Sequence, residues 1–365
     1  MRLGARAAVW LLLLLLAGRM SRAAEVLLAR LSASSTTPAV LAAVRALVPP
    51  LSFAAHKGQA GRVGVVGGSQ DYTGAPYYAA TSALKLGADL SYVFCEKSAA
   101  PAIKSYSPEL MVSSFYSSES PSQECNAAPI SSALPRLHSL VIGPGLGRSK
   151  QVFEALAGVI GQVRAASLPL IIDADGLFML SSEPSALALV HGYRKCILTP
   201  NKAEFDRLAL AVLGPGSGAG AGAGADGDEA RVYALSAALG HVTILLKGGV
   251  DIVSNGEAGV VVRVTERGSP RRCGGQGDLL AGALGVAAHW ANLREGGAAL
   301  LGELAPEEGA APVPVPALVW ACVLASITTK RAAAGAFEVH GRSTTTPDIL
   351  NALGTAASWF ESSSK

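Results

Sequence analysis

The stretch Cys273-Gly274-Gly275-Gln276-Gly277-Asp278-Leu279-Leu280-Ala281-Gly282 runs directly into an apolar segment of helical length. Glycines at 274, 275 and 277 allow backbone amides to converge on one point. That point is a helix N-terminus with partial positive charge, where phosphate oxygens fit. A carboxylate beside such a nest is placed to deprotonate a hydroxyl as it attacks a phosphoryl group, which would make Asp278 a general base. A first-turn aspartate is also an ordinary capping residue, so the stretch alone leaves both readings open.

Other groups have the same double character. Gly143-Pro144-Gly145-Leu146-Gly147 follows an apolar run and serves either as a strand-to-helix turn or as a place for a dinucleotide to approach the backbone. Asn201 and Glu204 sit at a helix start, where they either cap it or meet a ligand. Asp173 and Asp175 precede another helical stretch, and Lys247 ends an apolar run from which it can reach phosphate or solvent. Common nucleotide and hydrolase signatures are missing. Gly-Lys occurs nowhere, which removes a Walker A loop, and no GxGxxG follows the first strand. HExxH and GxSxG are absent as well. The six histidines, at 56, 138, 191, 241, 289 and 340, show no metal-ligand spacing and read as packing or surface residues.

The elements that must position these residues alternate. Strands are expected at Arg62–Val66, Leu90–Cys95, Ser139–Ile142, Leu168–Asp173, Cys196–Thr199 and Val242–Lys247, with pairing in the fourth beginning at Leu170 because Pro169 lacks an N–H. Helical patterns fall at Ala75–Ala88, Lys150–Ala165, Lys202–Leu213 and Ala230–Leu239. Runs such as Leu170-Ile171-Ile172 suit a sheet covered on both faces, which predicts an α/β fold around a mainly parallel sheet. Asp251–Ser254 and Val260–Thr265 form a hairpin pattern across Asn255-Gly256, and helices are expected at Gln276–Trp290 and Ala317–Ala334.

The chain has 365 residues, half of them hydrophobic and 16% charged, enough for a large core. Its formal charge of +3 belongs to the N-terminus: residues 1–56 hold six arginines against one acid, Glu25. The remainder is slightly acidic, which argues against a nucleic-acid surface. Residues 1–50 read as a targeting leader. Six consecutive leucines, Leu11 to Leu16, and small residues at Ala23 and Ala24 fit a signal peptide, whereas the Arg-rich, acid-poor continuation fits an organellar transit peptide. Five scattered cysteines without a CxxC pair favour a reducing interior, hence a mitochondrion, over the endoplasmic reticulum or secretory route; leaderless forms would be cytoplasmic. No later segment reads as a transmembrane helix, so no stable membrane insertion is expected. Residues 51–355 are expected to form a single domain, with flexible insertions near 214–227 (alternating Gly and Ala) and 296–316.

The GQGD run together with Asn201-Lys202-Ala203-Glu204 resembles the ribokinase-like superfamily, with its GxGD anion hole and NxxE motif. More narrowly, the chain resembles the ATP-dependent NAD(P)H-hydrate dehydratases. The supporting residues are Lys57 to Ser69, Gly143 to Arg148, Asp173-Ala174-Asp175-Gly176-Leu177, Leu198 to Asn201, Glu204-Phe205 with Arg207-Leu208, and Lys247-Gly248-Gly249. The resemblance implies a three-layer αβα ribokinase-like fold. It implies that the hydrated nicotinamide of NADHX or NADPHX (the S epimer) is phosphorylated by ATP on its C6 hydroxyl and then loses phosphate, giving NADH or NADPH. By resemblance Asp278 would be catalytic, and Gly147, Asn201, Lys202, Ala203, Glu204, Phe205, Asp206, Arg207 and Asp278 would meet the hydrate. ATP would be held by Lys247, Gly248, Gly249, Val250, Asp251, Gly268, Ser269, Pro270, Arg271, Arg272, Cys273, Gly274, Gly275, Gln276 and Gly277. Mg²⁺ would accompany ATP, with Glu204 near it through water. Bacterial relatives often carry a fused epimerase domain for which this chain has no room, so the epimerase would be a separate chain. A small-alcohol or vitamin-precursor kinase on the same fold is the alternative.

Overall fold

Short apolar runs become strands whose successive side chains feed two different cores. In the central run Leu170 and Ile172 face one core and Ile171 the other, all three fully buried. The computed structural model describes residues 32–34, 37–117, 125–217, 225–257, 260–295, 303–304 and 313–361. Among these, the strands are β1 (Ser32–Ser34), β2 (Arg62–Val66), β3 (Leu90–Glu96), β4 (Leu110–Tyr116), β5 (Ser139–Ile142), β6 (Leu170–Ile172), β7 (Cys196–Leu198), β8 (Thr243–Leu246), β9 (Asp251–Ser254) and β10 (Val261–Val264). They pair in one sheet in the order β1-β10-β9-β8-β7-β6-β5-β2-β3-β4. Pairing is parallel from β4 through β8, then antiparallel between β8, β9 and β10, so the hairpin across Asn255-Gly256 forms as expected.

Helices cover both faces. On one lie α1 (Pro38–Leu47), α2 (Gly74–Leu86), α10 (Gln276–Glu295) and α11 (Ala317–His340). The other carries α5 (Lys150–Ala165), α6 (Ala174–Ser182), α7 (Pro184–Val190), α8 (Lys202–Leu213) and α9 (Ala225–Ala238). The helix α12 (Thr346–Ala357) packs on α11 and on Leu279 in a third, smaller core. This is the expected three-layer arrangement. Sequence patterning foresaw a helix after Asp173 without bounding α6, and missed α7 and α12, as well as β4 and the short α3 (Ala99–Tyr106) and α4 (Ala128–Ala133). The strand β4 lies at the sheet edge with several exposed side chains, so its apolar alternation is weak.

Two sequence expectations change. The helix α1 falls inside the segment read as leader, yet Val40, Ala43, Val44 and Leu47 are buried in the main core and Ser32–Ser34 pair with β10. Its apolar spacing is that of a core helix, capped by the Thr37 hydroxyl accepting from Val40 N–H at 3.4 Å. The folded unit therefore begins well before residue 51; residues 1–31 and 35–36 lie outside the described residues. Secondly, Ala317–Ser343 does have the length and apolarity to cross a bilayer, but 83% of its apolar window is buried against the rest of the protein, as befits the central helix of a core. Most of the insertions expected near 214–227 and 296–316 lies outside the described residues; Glu303–Leu304 and Val313–Pro314 pair antiparallel.

The sheet order reverses between β2 and β5: β3 and β4 extend to one side, and the chain then returns to place β5 on the other. Crevices outside the carboxyl ends of parallel strands at such a switch point are where α/β folds bind ligands. The glycine loops after β2 and β5 meet there, with Gly68 N–H donating to the carbonyls of Pro144 (3.0 Å) and Gly145 (3.1 Å). Gly143 must be glycine: its φ is +126°, and a Cβ would stand 1.8 Å from the Asp173 carbonyl oxygen.

Candidate active site

The carboxyl ends of β5, β6, β7 and β8 deliver Gly147, Asp173, Asn201 and Lys247 to one edge of the sheet, and the start of α10 brings Asp278 to them. Lys247 donates to Asp173 Oδ1 at 2.7 Å, and its Nζ stands 4.0 Å from Glu204 Oε2. Asp173 is almost wholly buried and also accepts from the Thr199 hydroxyl at 2.8 Å. Removing both charges from water is costly, so the pair persists because each ion has a close partner. Burial opposes the Lys247 charge, but Asp173 and Glu204 outweigh it and its proton is held more tightly than usual.

Asp278 is half-buried beside this cluster, and its carboxylate accepts no hydrogen bond from a described residue. Desolvation, followed by the Asp173 charge, pushes its pKa up to about 7, with Lys247 pulling the other way. A carboxyl group titrating near neutrality is matched to general-base work. The preceding nest is shaped by Gly275 at φ +96°, where a Cβ would lie 2.8 Å from Thr346 and 2.9 Å from Tyr78. The Thr346 hydroxyl bonds the Gly274 carbonyl, so α12 pins the nest from outside. At Gly277 a Cβ would sit 3.2 Å from the Lys247 ammonium, which places that cation directly under the first turn of α10.

A cavity of ≈ 930 Å³ opens in front of the nest. Of the residues expected at ATP, Lys247, Gly248, Gly249, Asp251, Gly268, Ser269, Pro270, Arg272, Cys273, Gln276 and Gly277 line it. Asn201 reaches it too, whereas Val250, Arg271, Gly274 and Gly275 are not on its wall. Asp251 is occupied structurally: it accepts from Gly248 N–H (2.7 Å), lies 3.3 Å from the Lys330 ammonium and accepts from Ser326 Oγ (2.6 Å). It fastens the turn after β8 to α11. Sequence reading missed Arg267, Thr329, Lys330, Ala333 and Ile349 on this wall. Lys330 donates to the Gly249 carbonyl at 2.8 Å. The apolar helix surrounding it gave no local signal of that reach.

On the other side of Asp278 the run from Asn201 to Arg207 divides. Asn201 and Glu204 form a capping box, Asn201 Oδ1 accepting from Glu204 N–H (3.0 Å) and Glu204 Oε2 from Asn201 N–H (2.8 Å). Burial raises the Glu204 pKa against the pull of Lys247. Phe205, expected at the hydrate, buries its ring completely in the core, because it lies on the inward face of α8. Asp206 pairs with Arg231 at 2.6 Å and with Lys202 at 3.8 Å, while Ala203 and Arg207 are exposed. Gly147, at φ +78°, donates its N–H to Asp175 Oδ2 at 3.0 Å. Between the two aspartates, Ala174 adopts φ +47°, a left-handed conformation unusual outside glycine. It turns Asp173 toward Lys247 and Asp175 toward Gly147. Among the described residues no group of three or more His, Cys, Asp or Glu side chains could cage a metal ion.

A doubly covered sheet, a glycine nest at a helix start and an aspartate beside it that accepts no hydrogen bond from a described residue define the ribokinase-like class. The fold is shared with a ribokinase-like superfamily protein from Enterococcus faecalis (TM-score 0.61, 19% identity, 88% of this chain and 94% of that one). It is shared also with an ADP/ATP-dependent NAD(P)H-hydrate dehydratase from Bacillus subtilis co-crystallized with ATP/Mg²⁺ (TM-score 0.58, 21% identity, 87% and 96% covered). Within that class the sequence is more specific. Residues 63–353 match the family described as NAD(P)H-hydrate dehydratase, and the chain belongs to that family. It is 48% identical over 316 residues to the ATP-dependent (S)-NAD(P)H-hydrate dehydratase of Homo sapiens, covering 86% of this chain and 82% of that one. Against the Danio rerio enzyme of the same name identity is 44% over 324 residues, covering 88% and 89%.

Proposed function

We infer that this protein is an ATP-dependent (S)-NAD(P)H-hydrate dehydratase, a lyase that repairs hydrated NADH and NADPH. The observation that carries the chemistry is the Asp278 carboxylate, free of hydrogen bonds from described residues, raised to a neutral pKa and set against an anion nest. Asp278 takes the proton of the C6 hydroxyl as that oxygen attacks the γ-phosphoryl group of ATP, and ADP departs. The C6–O bond of the phosphoester then breaks with its electron pair, phosphate leaves, and loss of a proton from the neighbouring carbon restores the ring double bond. Phosphorylation makes a poor leaving group a good one.

In this reading the cavity before the nest takes ATP, with Lys247 and the amides of Gln276 and Gly277 facing its phosphates. The hydrate lies across the switch-point crevice between Gly147 and the exposed part of Asn201 to Arg207. Mg²⁺ would come as a companion of the nucleotide: the described residues offer no cage for it, so it would be held by phosphate oxygens and water, with Glu204 as the nearby acid, and would offset phosphate charge. For the hydrate's other epimer we propose an epimerase as the functional partner. The Arg-rich N-terminus and scattered free cysteines support a mitochondrial location.

The test is incubation of the purified chain with hydrated NADH, ATP and Mg²⁺, following reduced-nicotinamide absorbance and phosphate. Recovery of the chromophore with one phosphate released per turnover is expected. A stable phosphoester with no chromophore would make the protein a small-molecule kinase instead.

A further inference from the structure

Two arginines from distant parts of the chain converge on one aromatic ring beside the Gly147 loop. The Arg148 guanidinium carbon lies 4.2 Å from the Phe178 ring centroid, and that of Arg207 lies 5.4 Å from it. Phe178 itself is half-buried against Phe153. Asp175 holds the nearer arginine, accepting from Arg148 Nε at 3.1 Å with one oxygen while its other oxygen takes Gly147 N–H. Arg207 is exposed and forms no ion pair with a described residue.

We propose that Arg148 and Arg207, carried on Phe178 and oriented through Asp175, form a phosphate subsite for the dinucleotide substrate. The inference rests on the hydrate-dehydratase reading and names how the far end of that substrate is held.

Four considerations carry it. Like charges gathered on one ring repel; among the described residues Arg148 is ion-paired, with Asp175, whereas Arg207 feels Glu204 one turn away without pairing to it, so the guanidinium pair leaves positive charge facing solvent. With Nε engaged by Asp175, Arg148 keeps its terminal N–H groups for a second acceptor, in the planar fork that matches phosphate. Cation–π contact with the ring orders both guanidiniums in advance, which lowers the entropy cost of gripping a ligand. Position also fits: Arg148 follows Gly147 directly and Arg207 ends the run from Asn201, so the pair joins the two segments that meet the hydrate in this reading. The anion is either the pyrophosphate present in both hydrates or the 2′-phosphate peculiar to NADPHX, two sources of the same phosphoryl chemistry.

The experiment compares Arg148→Met, Arg148→Lys and Arg207→Met with the parent for KM and kcat on NADHX, NADPHX and ATP. Hydrate binding without ATP is measured by calorimetry. Arg207 is exposed on a helix surface, so its variant tests the proposal even if replacement of Arg148 disturbs the Gly147 loop. Both Met variants should raise the hydrate KM by about tenfold or more, with kcat and ATP KM within about twofold. Arg148→Lys should recover only part of the loss. Equal losses on the two hydrates assign the pyrophosphate; a loss confined to NADPHX assigns the 2′-phosphate. Hydrate KM values within about twofold of the parent in both Met variants would overturn the subsite while leaving the dehydratase reading intact. A parent that neither binds nor turns over hydrate would overturn that reading, and this ligand assignment with it.

Discussion

The helices α8 and α10 both begin beyond the sheet's carboxyl edge, both carry an acid in the first turn, and both acids are made less acidic by burial. Glu204 spends its carboxylate on its own helix, closing a capping box with Asn201. Asp278 has no such engagement among the described residues, because glycines supply the turn before α10 and leave its amides open. An acidic first turn is structural when its oxygens are already taken by backbone donors. It becomes chemically available when the preceding residues form the nest without it.

Breaking the free carboxylate should have the largest effect. Asp278→Asn is close to isosteric but cannot accept the hydroxyl proton, so turnover should fall by about 10²–10⁴-fold while ATP still binds. Turnover within about twofold of the parent would remove Asp278 from the mechanism. Its stability should move the other way. A carboxyl group whose folded pKa is raised contributes stability that is present below the unfolded value and lost as pH rises through about 7. At pH 8, therefore, Asp278→Asn should melt above the parent by a few degrees in a thermal scan.

Protonating the same group is the next test. Activity that needs ionised Asp278 should decline about tenfold per unit as pH drops below about 7, with a plateau above. A kcat/KM profile flat down to pH 5 would contradict this.

Filling the nest sharpens the contrast from the nucleotide side. Gly277→Glu puts a side chain where the Lys247 ammonium lies 3.2 Å from a Cβ, and an anion where phosphates belong. ATP KM should rise about tenfold or more and hydrate affinity much less; equal weakening of both ligands would show the anion site to be elsewhere.

The smallest effect belongs to the engaged carboxylate as a cap. Glu204→Ala should cost about 1 kcal/mol and lower the melting midpoint by about 1–2 °C, whereas Glu204→Gln keeps an acceptor for Asn201 N–H and should stay within about 0.5 °C. Equal destabilisation by both would mean that charge, not the cap, holds the start of α8.

The sequence by itself determined the repeating β–α alternation, the reach of β2, β5 and β9, the bounds of α5 and α8, and the nest at α10. Each of these is written in local periodicity or in adjacent glycines, which act over a few residues. Asn201 and Glu204 were legible as a pair but not as a cap or a contact, since both uses need the same spacing. Only the tertiary structure decided the rest. It drew α1 out of the expected leader into the core, turned Phe205 inward, brought Lys330 from α11 to the turn after β8, and set Arg148 and Arg207 over Phe178. The Lys247–Asp173 contact spans 74 residues and depends on β8 and β6 ending at one sheet edge on either side of β7. Strand order is set by which apolar faces pack together across the whole chain, and no local pattern of residues encodes it.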